Sequence, residues 1–288
     1  MLTCYLQGGL GNQLFQIFAT ISYALTHKRP FAFTKQQQLD TKRSTYWHSF
    51  LAPLAKFTQP INYNHFIKIS EKAFTYHKLP TSTAESIVLY GYFQSPLYFT
   101  EHTDAIFRLI RLEEQKAAVL KKIEPYNLVL QHCISLHFRQ GDYKQLPQHY
   151  PLLTYEYYAT AVKHIQSKHI QSKHIIIQNK PQSITTLLIF CEQGDLPAVT
   201  PILKQLQTTF PQLKIQLAPT TLSDWEQLLV MSLCTHNVIA NSSYSWWGAY
   251  FNSNPQKIVC YPANWFGPKL QQNDIKDLCP TFWQKTTF

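Results

Sequence analysis

The decapeptide from Ile134 to Tyr143 reads Ile-Ser-Leu-His-Phe-Arg-Gln-Gly-Asp-Tyr. It sets His137, Arg139, Asp142 and Tyr143 directly after an apolar run, so that one permanent charge sits among several hydrogen-bonding groups. A guanidinium grips a phosphate or a carboxylate through two parallel N–H bonds, so this stretch can hold an anion. It can equally brace its own turn, with Arg139 pairing Asp142, and an isolated Arg-x-x-Asp does not separate the two. Two further polar clusters have a similar setting. Gly8-Gly9-Leu10-Gly11-Asn12-Gln13 follows the first apolar stretch, and Asn241-Ser242-Ser243-Tyr244-Ser245 follows a late one. A pyrophosphate needs its charge neutralised, and N–H groups at a helix start supply part of that. Arg139 can supply the charge; Ser242, Ser243 and Ser245 can supply hydroxyls and amides. Each signal is weak alone. Together they describe a nucleotide-diphosphate site assembled across two domains.

The elements that must carry these clusters alternate along the chain. Residues 2–7 read as a strand, a glycine turn follows, and Leu14, Phe15, Ile17, Phe18, Ile21, Ala24 and Leu25 keep helical spacing to about residue 27. That is a Rossmann-like opening. A dinucleotide fingerprint would need a third glycine where Leu14 stands and an acidic residue after the strand at 31–33, which runs into Thr34-Lys35. A nicotinamide cofactor is therefore disfavoured, and the glycines can serve a tight turn as readily as a ligand. Residues 36–80 are irregular and aromatic. A strand is expected at 87–93, a helix at 105–122, and a domain boundary at Glu124-Pro125-Tyr126-Asn127. The apolar stretch from 128 to 138 reads as one buried strand ending at Gly141. Helices are expected at 155–170, 199–210 and 222–234, and strands at 175–177, 187–190, 214–217, 237–240 and 257–261. Strands alternating with helices give an α/β fold. Gln166-Ser-Lys-His-Ile170 is repeated immediately as Gln171 to Ile175, a local duplication too short for a solenoid. Its histidines, with His164, His169 and His174 five apart, share no helical face and suggest no metal site.

Composition narrows the function. At 288 residues with 45% apolar side chains, the chain can bury the cores of two domains. No apolar stretch is long enough to cross a bilayer, and the first residues lack the basic and apolar regions of a signal peptide, so a cytoplasmic protein is expected. The six cysteines are scattered without Cys-x-x-Cys, as suits reduced core thiols. The net charge of +10 divides as +6 over residues 1–125 and +4 over the rest, with no Lys/Arg run longer than two. So diffuse a field suits an anionic small substrate, or peripheral contact with an acidic membrane surface, and lacks the stripe of a nucleic-acid binder.

Three strings carry a family resemblance: Gly-Gly-Leu-Gly-Asn-Gln at 8–13 continuing into Leu14-Phe15-Gln16, His-Phe-Arg-Gln-Gly-Asp-Tyr at 137–143, and Asn-Ser-Ser-Tyr-Ser-Trp-Trp-Gly-Ala at 241–249. In order and spacing, which span nearly the whole chain, they resemble the α-1,2-fucosyltransferases of glycosyltransferase family 11. The resemblance implies a GT-B fold, two Rossmann-like domains facing across a cleft. Residues 1–125 would form the acceptor-side domain and 126–288 the GDP-sugar domain, with the C-terminal tail free to pack back on the first. It implies inverting transfer of L-fucose from GDP-β-L-fucose to the 2-hydroxyl of a terminal galactoside, with GDP-fucose as substrate and no cofactor. Arg139 maps onto the arginine that neutralises the donor phosphates, with His137 beside it. Asn12 maps onto the asparagine of the related Gly-Asn-Gln turn in protein O-fucosyltransferases, near the phosphates and the acceptor, and is implied to be catalytic. Gly9, Gly11, Asn241, Ser242, Ser243 and Ser245 complete the implied donor site. No Asp-x-Asp occurs, in keeping with a metal-independent mechanism. Asp142, His137, Glu192 and Asp40 are candidate bases, with loop support the favoured role for Asp142. One segment departs from the family: 187–195 reads Ile-Phe-Cys-Glu-Gln-Gly-Asp at its end, where an aspartate pair and Trp-Cys are usual. Alternatives are another GDP-deoxyhexose or linkage, or a non-catalytic nucleotide- or carbohydrate-binding protein of the same fold.

Overall fold

A computed structural model describes residues 1–40, 42–173 and 183–288. The chain divides into two compact units: Met1–Ala117 with Asn273–Pro280, and Ala118–Gln272 with Thr281–Phe288. The division falls within a continuous helix (Leu112–Ile123), ahead of the Glu124-Pro125 break.

The first unit runs β1 (Leu2–Cys4), α1 (Leu10–Thr26), β2 (Phe33–Thr34), β3 (Thr58–Gln59), β4 (Ile67–Ser70), β5 (Ile87–Tyr90), α2 (Thr103–Leu109) and α3 (Leu112–Ile123). Its main sheet has the order β1-β5-β4, all parallel, while β2 pairs β3. Phe31 bridges Leu2 on the free side of β1, so the chain leaving α1 returns beside the strand that led into it. Helix α1 packs apolar side chains around most of its circumference: Leu14, Phe15, Ile17, Phe18 and Ile21 are fully buried. Such a helix belongs to a core rather than a surface. The expected single helix at 105–122 is two, broken where Arg111 takes a left-handed φ of 52°.

The second unit runs β6 (Cys133–His137), α4 (Tyr155–Lys173), β7 (Thr186–Phe190), α5 (Leu196–Thr209), β8 (Lys214–Leu217), α6 (Asp224–Leu233), β9 (His236–Val238), α7 (Ser243–Tyr250), β10 (Val259–Pro262) and β11 (Gln284–Thr286). All six strands are parallel, in the order β11-β10-β9-β6-β7-β8. Strands buried on both faces tolerate near-continuous apolar runs, and β6 is buried at every position. Ile134, Leu136 and Phe138 join Tyr158, Val162 and Ile165 of α4 in one core. The apolar stretch 128–130 lies outside the strand: Val129 is 55% exposed and the chain turns before Cys133. The strand expected at 175–177, with His174, falls outside the described residues. Helix α5 begins three residues earlier than expected, because Pro197 sits in the first turn where proline is tolerated. Helix α6 starts where Ser223 and the first-turn acids Asp224 and Glu226 place it; Glu226 accepts from the Ser223 N–H at 2.8 Å.

Candidate functional site

In the second unit the chain moves outward from β6 to β7 and β8, then crosses back to β9 on the other side of β6 and continues to β10 and β11. The order therefore reverses between β6 and β9. A parallel sheet binds ligands beyond the carboxyl ends of its strands at such a reversal, because the two flanking loops diverge and leave a crevice. Strand β6 ends at His137, and the loop after it carries Phe138 to Tyr143. The loop after β9 carries Asn241 to Ser243.

Register explains which side chains meet there. His137 pairs with Phe190 on β7, and the next ladder bond, Phe138 N–H to Phe190 O, is 2.8 Å. Two residues farther, Arg139 stands beside Glu192, and the two form an ion pair. Arg139 also pairs Asp142. Its guanidinium lies 5.3 Å from the centre of the Tyr143 ring. Tyr143 stacks on Tyr150 (4.5 Å, 16°) and donates to the Asn241 carbonyl at 3.0 Å, tying the loop after β6 to the loop after β9.

Asp195 fixes the loop from below. It is 4% exposed, accepts from the Gly141 N–H at 2.7 Å and pairs Lys144 at 2.7 Å. Burial works to raise its pKa, but Lys144, the Gly141 N–H and the Arg139 charge together hold the carboxyl below the usual range. Gly141 has φ +27°, and a Cβ there would lie 3.2 Å from both Glu192 carboxylate oxygens. The cluster thus sets the cations Arg139 and Lys144 against the carboxylates of Asp142, Glu192 and Asp195.

His137 is 7% exposed, and burial, reinforced by Arg139, pushes its pKa down to about 3. Its imidazole is neutral, and its Nδ1 has no protein partner. Its ring lies 5.3 Å from that of Tyr244, and its carbonyl accepts from Tyr158 OH at 3.0 Å. The Asn241 amide donates to the Pro151 and Trp265 carbonyls at 3.1 and 3.2 Å, leaving its buried Oδ1 unpaired. Ser242 caps α7 by accepting from the Tyr244 N–H at 3.3 Å. Ser245 is buried and bonds back to the Ser242 carbonyl, so its hydroxyl serves the helix. The Trp-Trp-Gly that follows is packing: both indoles are fully buried, and a Cβ on Gly248 would come within 2.9 Å of the Met231 side chain.

The remaining candidates lie in the first unit, at the carboxyl end of β1. Gly8 has φ +79°, and a Cβ there would lie 2.5 Å from Asn12 Nδ2, so the turn requires glycine. Gly9 differs. It caps α1 with an ordinary φ of −79°, and nothing lies within 4 Å of its Cβ position. Gly11 is buried in the first turn of α1. Asn12 accepts from Gln94 Nε2 at 2.9 Å. Gln13, fully buried, donates to the Gly8 and Ser44 carbonyls at 3.0 and 2.9 Å. Asp40 accepts from the Tyr5 hydroxyl.

Sequence reasoning placed Glu192 among the bases and did not foresee that it pairs Arg139. It also passed over Asp195, whose only signal was an acid three residues beyond Glu192. A third omission is His236, buried at the amino end of β9 with its Nε2 3.0 Å from His169 Nδ1.

No protein-family model matches the chain. Among solved structures, a mutant of Arabidopsis thaliana FUT1 in complex with GDP superposes with a TM-score of 0.52, at 10% identity, over 100% of this chain and 76% of that one. The fold is GT-B. Among curated proteins, the O-antigen biosynthesis glycosyltransferase WbnK of Escherichia coli is 28% identical over 187 residues, 62% of this chain and 55% of the relative. An α-1,2-colitosyltransferase of Escherichia coli is 24% identical over 213 residues, 72% of this chain and 64% of the relative. The chain thus spans rather more than half the length of each curated relative. Among the described residues, no helix is long and apolar enough to cross a membrane.

Proposed function

We propose that this chain is a glycosyltransferase using a GDP-deoxyhexose, and specifically an α-1,2-fucosyltransferase of family 11. It would move L-fucose from GDP-β-L-fucose to the 2-hydroxyl of a terminal galactoside with inversion. The observation that carries the reading is the meeting of His137, Arg139 and the Asn241–Ser243 turn at the strand-order reversal of one parallel sheet. Both curated relatives are named as sugar transferases, which agrees with it.

The chemistry follows from the charges. The acceptor 2-oxygen attacks the fucosyl anomeric carbon as the bond to GDP breaks. GDP leaves with the electron pair, and negative charge grows on its phosphate. Preorganised charge at that oxygen is the largest contribution a site can make. Arg139 provides it by exchanging the Glu192 carboxylate, whose side chain is 62% exposed, for phosphate oxygens, while Asp142 continues to orient the guanidinium. The unpaired Nδ1 of His137 hydrogen-bonds the donor; a pKa near 3 makes it a poor base. The acceptor proton passes to a carboxylate. Asp142 and Asp195 are committed to the loop, leaving Glu192 or Asp40. The scheme asks for no metal, since the Arg139 charge supplies what a divalent ion would otherwise bring.

The test is transfer from GDP-fucose to a panel of galactosides, with linkage analysis of the product. An α-1,2-fucosyl galactoside is expected. A second reading, transfer of another deoxyhexose, is favoured by the colitosyltransferase relative and is decided by offering GDP-colitose in parallel. GDP binding without transfer to any acceptor from either donor would leave a non-catalytic binding protein.

A further inference from the structure

Asn12 is held from a distance. Its Oδ1 accepts from Gln94 Nε2 at 2.9 Å, and Gln94 sits in the loop that leaves β5. That loop is contorted: Phe93, fully buried, takes a left-handed φ of 53°, which a bulky residue adopts only when its surroundings enforce it. The enforcing group is Glu71, the first residue beyond β4. Its two carboxylate oxygens accept separately from consecutive backbone N–H groups, Tyr92 at 2.8 Å and Phe93 at 2.9 Å. Gly91 makes the approach possible, since a Cβ there would lie 2.4 Å from Glu71 Cβ. Gln16 of α1 adds a brace by donating to the Gly91 carbonyl at 3.2 Å.

We propose that Glu71 is the positioning residue for Asn12, acting through the Tyr92–Phe93 backbone and the Gln94 side chain. The inference rests on the reading of Asn12 as a group that touches the reacting substrate. Both acceptor oxygens of the carboxylate are in use, so a carboxamide cannot replace it: one N–H would meet an NH₂ group. The loop must then shift, and Gln94 with it. A displacement of about 1 Å at a positioned group costs roughly 10²-fold in turnover.

The carboxyl itself responds to pH. Burial raises its pKa to about 7, against the two N–H donors and the charge of His77. The other titratable groups that interact with it are Tyr92 and Tyr98, both raised by burial and so neutral throughout this range. Protonation turns one acceptor oxygen into a donor, with the same effect on the loop as the carboxamide.

The experiment is a double-mutant cycle in kcat with GDP-fucose and a galactoside, using Glu71→Gln, Asn12→Ala and the pair. Expected are a drop of about 10²-fold in kcat for Glu71→Gln with donor KM little changed, and a double variant no slower than Asn12→Ala alone. The acid limb of kcat near pH 7 should be present in the parent and absent from Glu71→Gln. Gln94→Ala cuts the same relay without touching the buried carboxyl. It should lower kcat and likewise lose the limb, since protonation of Glu71 then has no route to Asn12, and this guards against Glu71→Gln simply failing to fold. If Asn12→Ala is impaired while Glu71→Gln and Gln94→Ala turn over normally, or if the losses multiply, the relay is wrong and the reading of Asn12 stands. If Asn12→Ala turns over normally, that reading falls and the relay with it.

Discussion

Glu192→Gln should tighten GDP binding. This is unusual for the loss of a charged side chain in a site, and it follows from the ion pairs. Arg139 is shared between Asp142 and Glu192, so a diphosphate must displace one carboxylate and tolerate the other. Glu192 is the more exposed of the two, at 62% against 47%, and comes from a different strand end, so it is the partner that leaves. Breaking an exposed ion pair costs about 0.2–1 kcal/mol. Holding the freed carboxylate about 5 Å from a phosphate charge in a solvent-like dielectric costs about 0.8 kcal/mol more per charge. Screening reduces the sum to about 1–2 kcal/mol, or roughly five- to thirty-fold in Kd. Calorimetric titration of GDP into the two proteins measures it, and the ratio should shrink as salt is raised. Arg139→Gln serves as the control and should abolish binding. If Arg139→Gln abolishes binding but Glu192→Gln binds GDP no more tightly than the parent at low salt, the exchange does not occur. Turnover by the same variant answers a separate question: tighter GDP with kcat lost identifies Glu192 as the base, and tighter GDP with kcat kept points to Asp40.

Arg139→Lys should lose about 10²-fold or more in kcat, because one ammonium cannot reproduce the two-pronged geometry; near-normal turnover would rule out the phosphate role. Gly9→Ala should leave the melting temperature nearly unchanged, since its φ is ordinary and its Cβ meets nothing, yet raise the donor KM if phosphate approaches that backbone; an unchanged KM removes Gly9 from the site. Gly8→Ala, at φ +79°, should instead destabilise by about 1–2 kcal/mol in urea unfolding. His137 and His236 are both pushed to about 3 by burial, below an unfolded value near 6.5. The unfolded chain therefore takes up protons first: stability is full above about pH 6.5 and falls below it, by about 1.4 kcal/mol per pH unit for each residue. Urea midpoints at pH 7, 6 and 5 should show the loss, and His236→Gln should flatten the slope; an unchanged slope would place the proton uptake elsewhere.

The central strands were legible because a parallel strand covered on both faces has nothing polar to interrupt it: Leu187 to Phe190 reads as a strand at sight, and Thr186–Phe190 is one. Two edge strands lack that signature. In β4, Ile-Lys-Ile-Ser buries only Ile69, and β11 is Gln-Lys-Thr; neither differs in composition from a loop until its neighbour is known. The break between α2 and α3 was equally hidden, since Arg111 is an ordinary helix former placed in a left-handed turn by its context. The serine cluster after β9 was legible as a helix start, because the cap chemistry of Ser242 is local. That Ser245 turns inward is not local. It depends on which face of α7 the two buried tryptophans take.

Arg139 shows why a sequence alone leaves its role open. A salt bridge and a phosphate clamp draw on the same planar, permanently charged fork, so residue type and the Arg-x-x-Asp spacing are compatible with both. The residue on which the proposal turns lies 53 positions away and is brought alongside by the parallel register of β6 with β7. With Glu192 there, the brace and the proposed clamp are compatible in one arginine. An arginine needed only to hold its turn is satisfied by Asp142, and a second, largely exposed carboxylate adds little stability. What the second carboxylate does supply is an acceptor at the mouth of the crevice that a phosphate can replace, oxygen for oxygen, without stripping the guanidinium of partners. Asp195, buried and bonded to Gly141 and Lys144, keeps the loop fixed during that exchange. Under the proposed role, the turn is braced by one pair of residues and exchanges its partner through another.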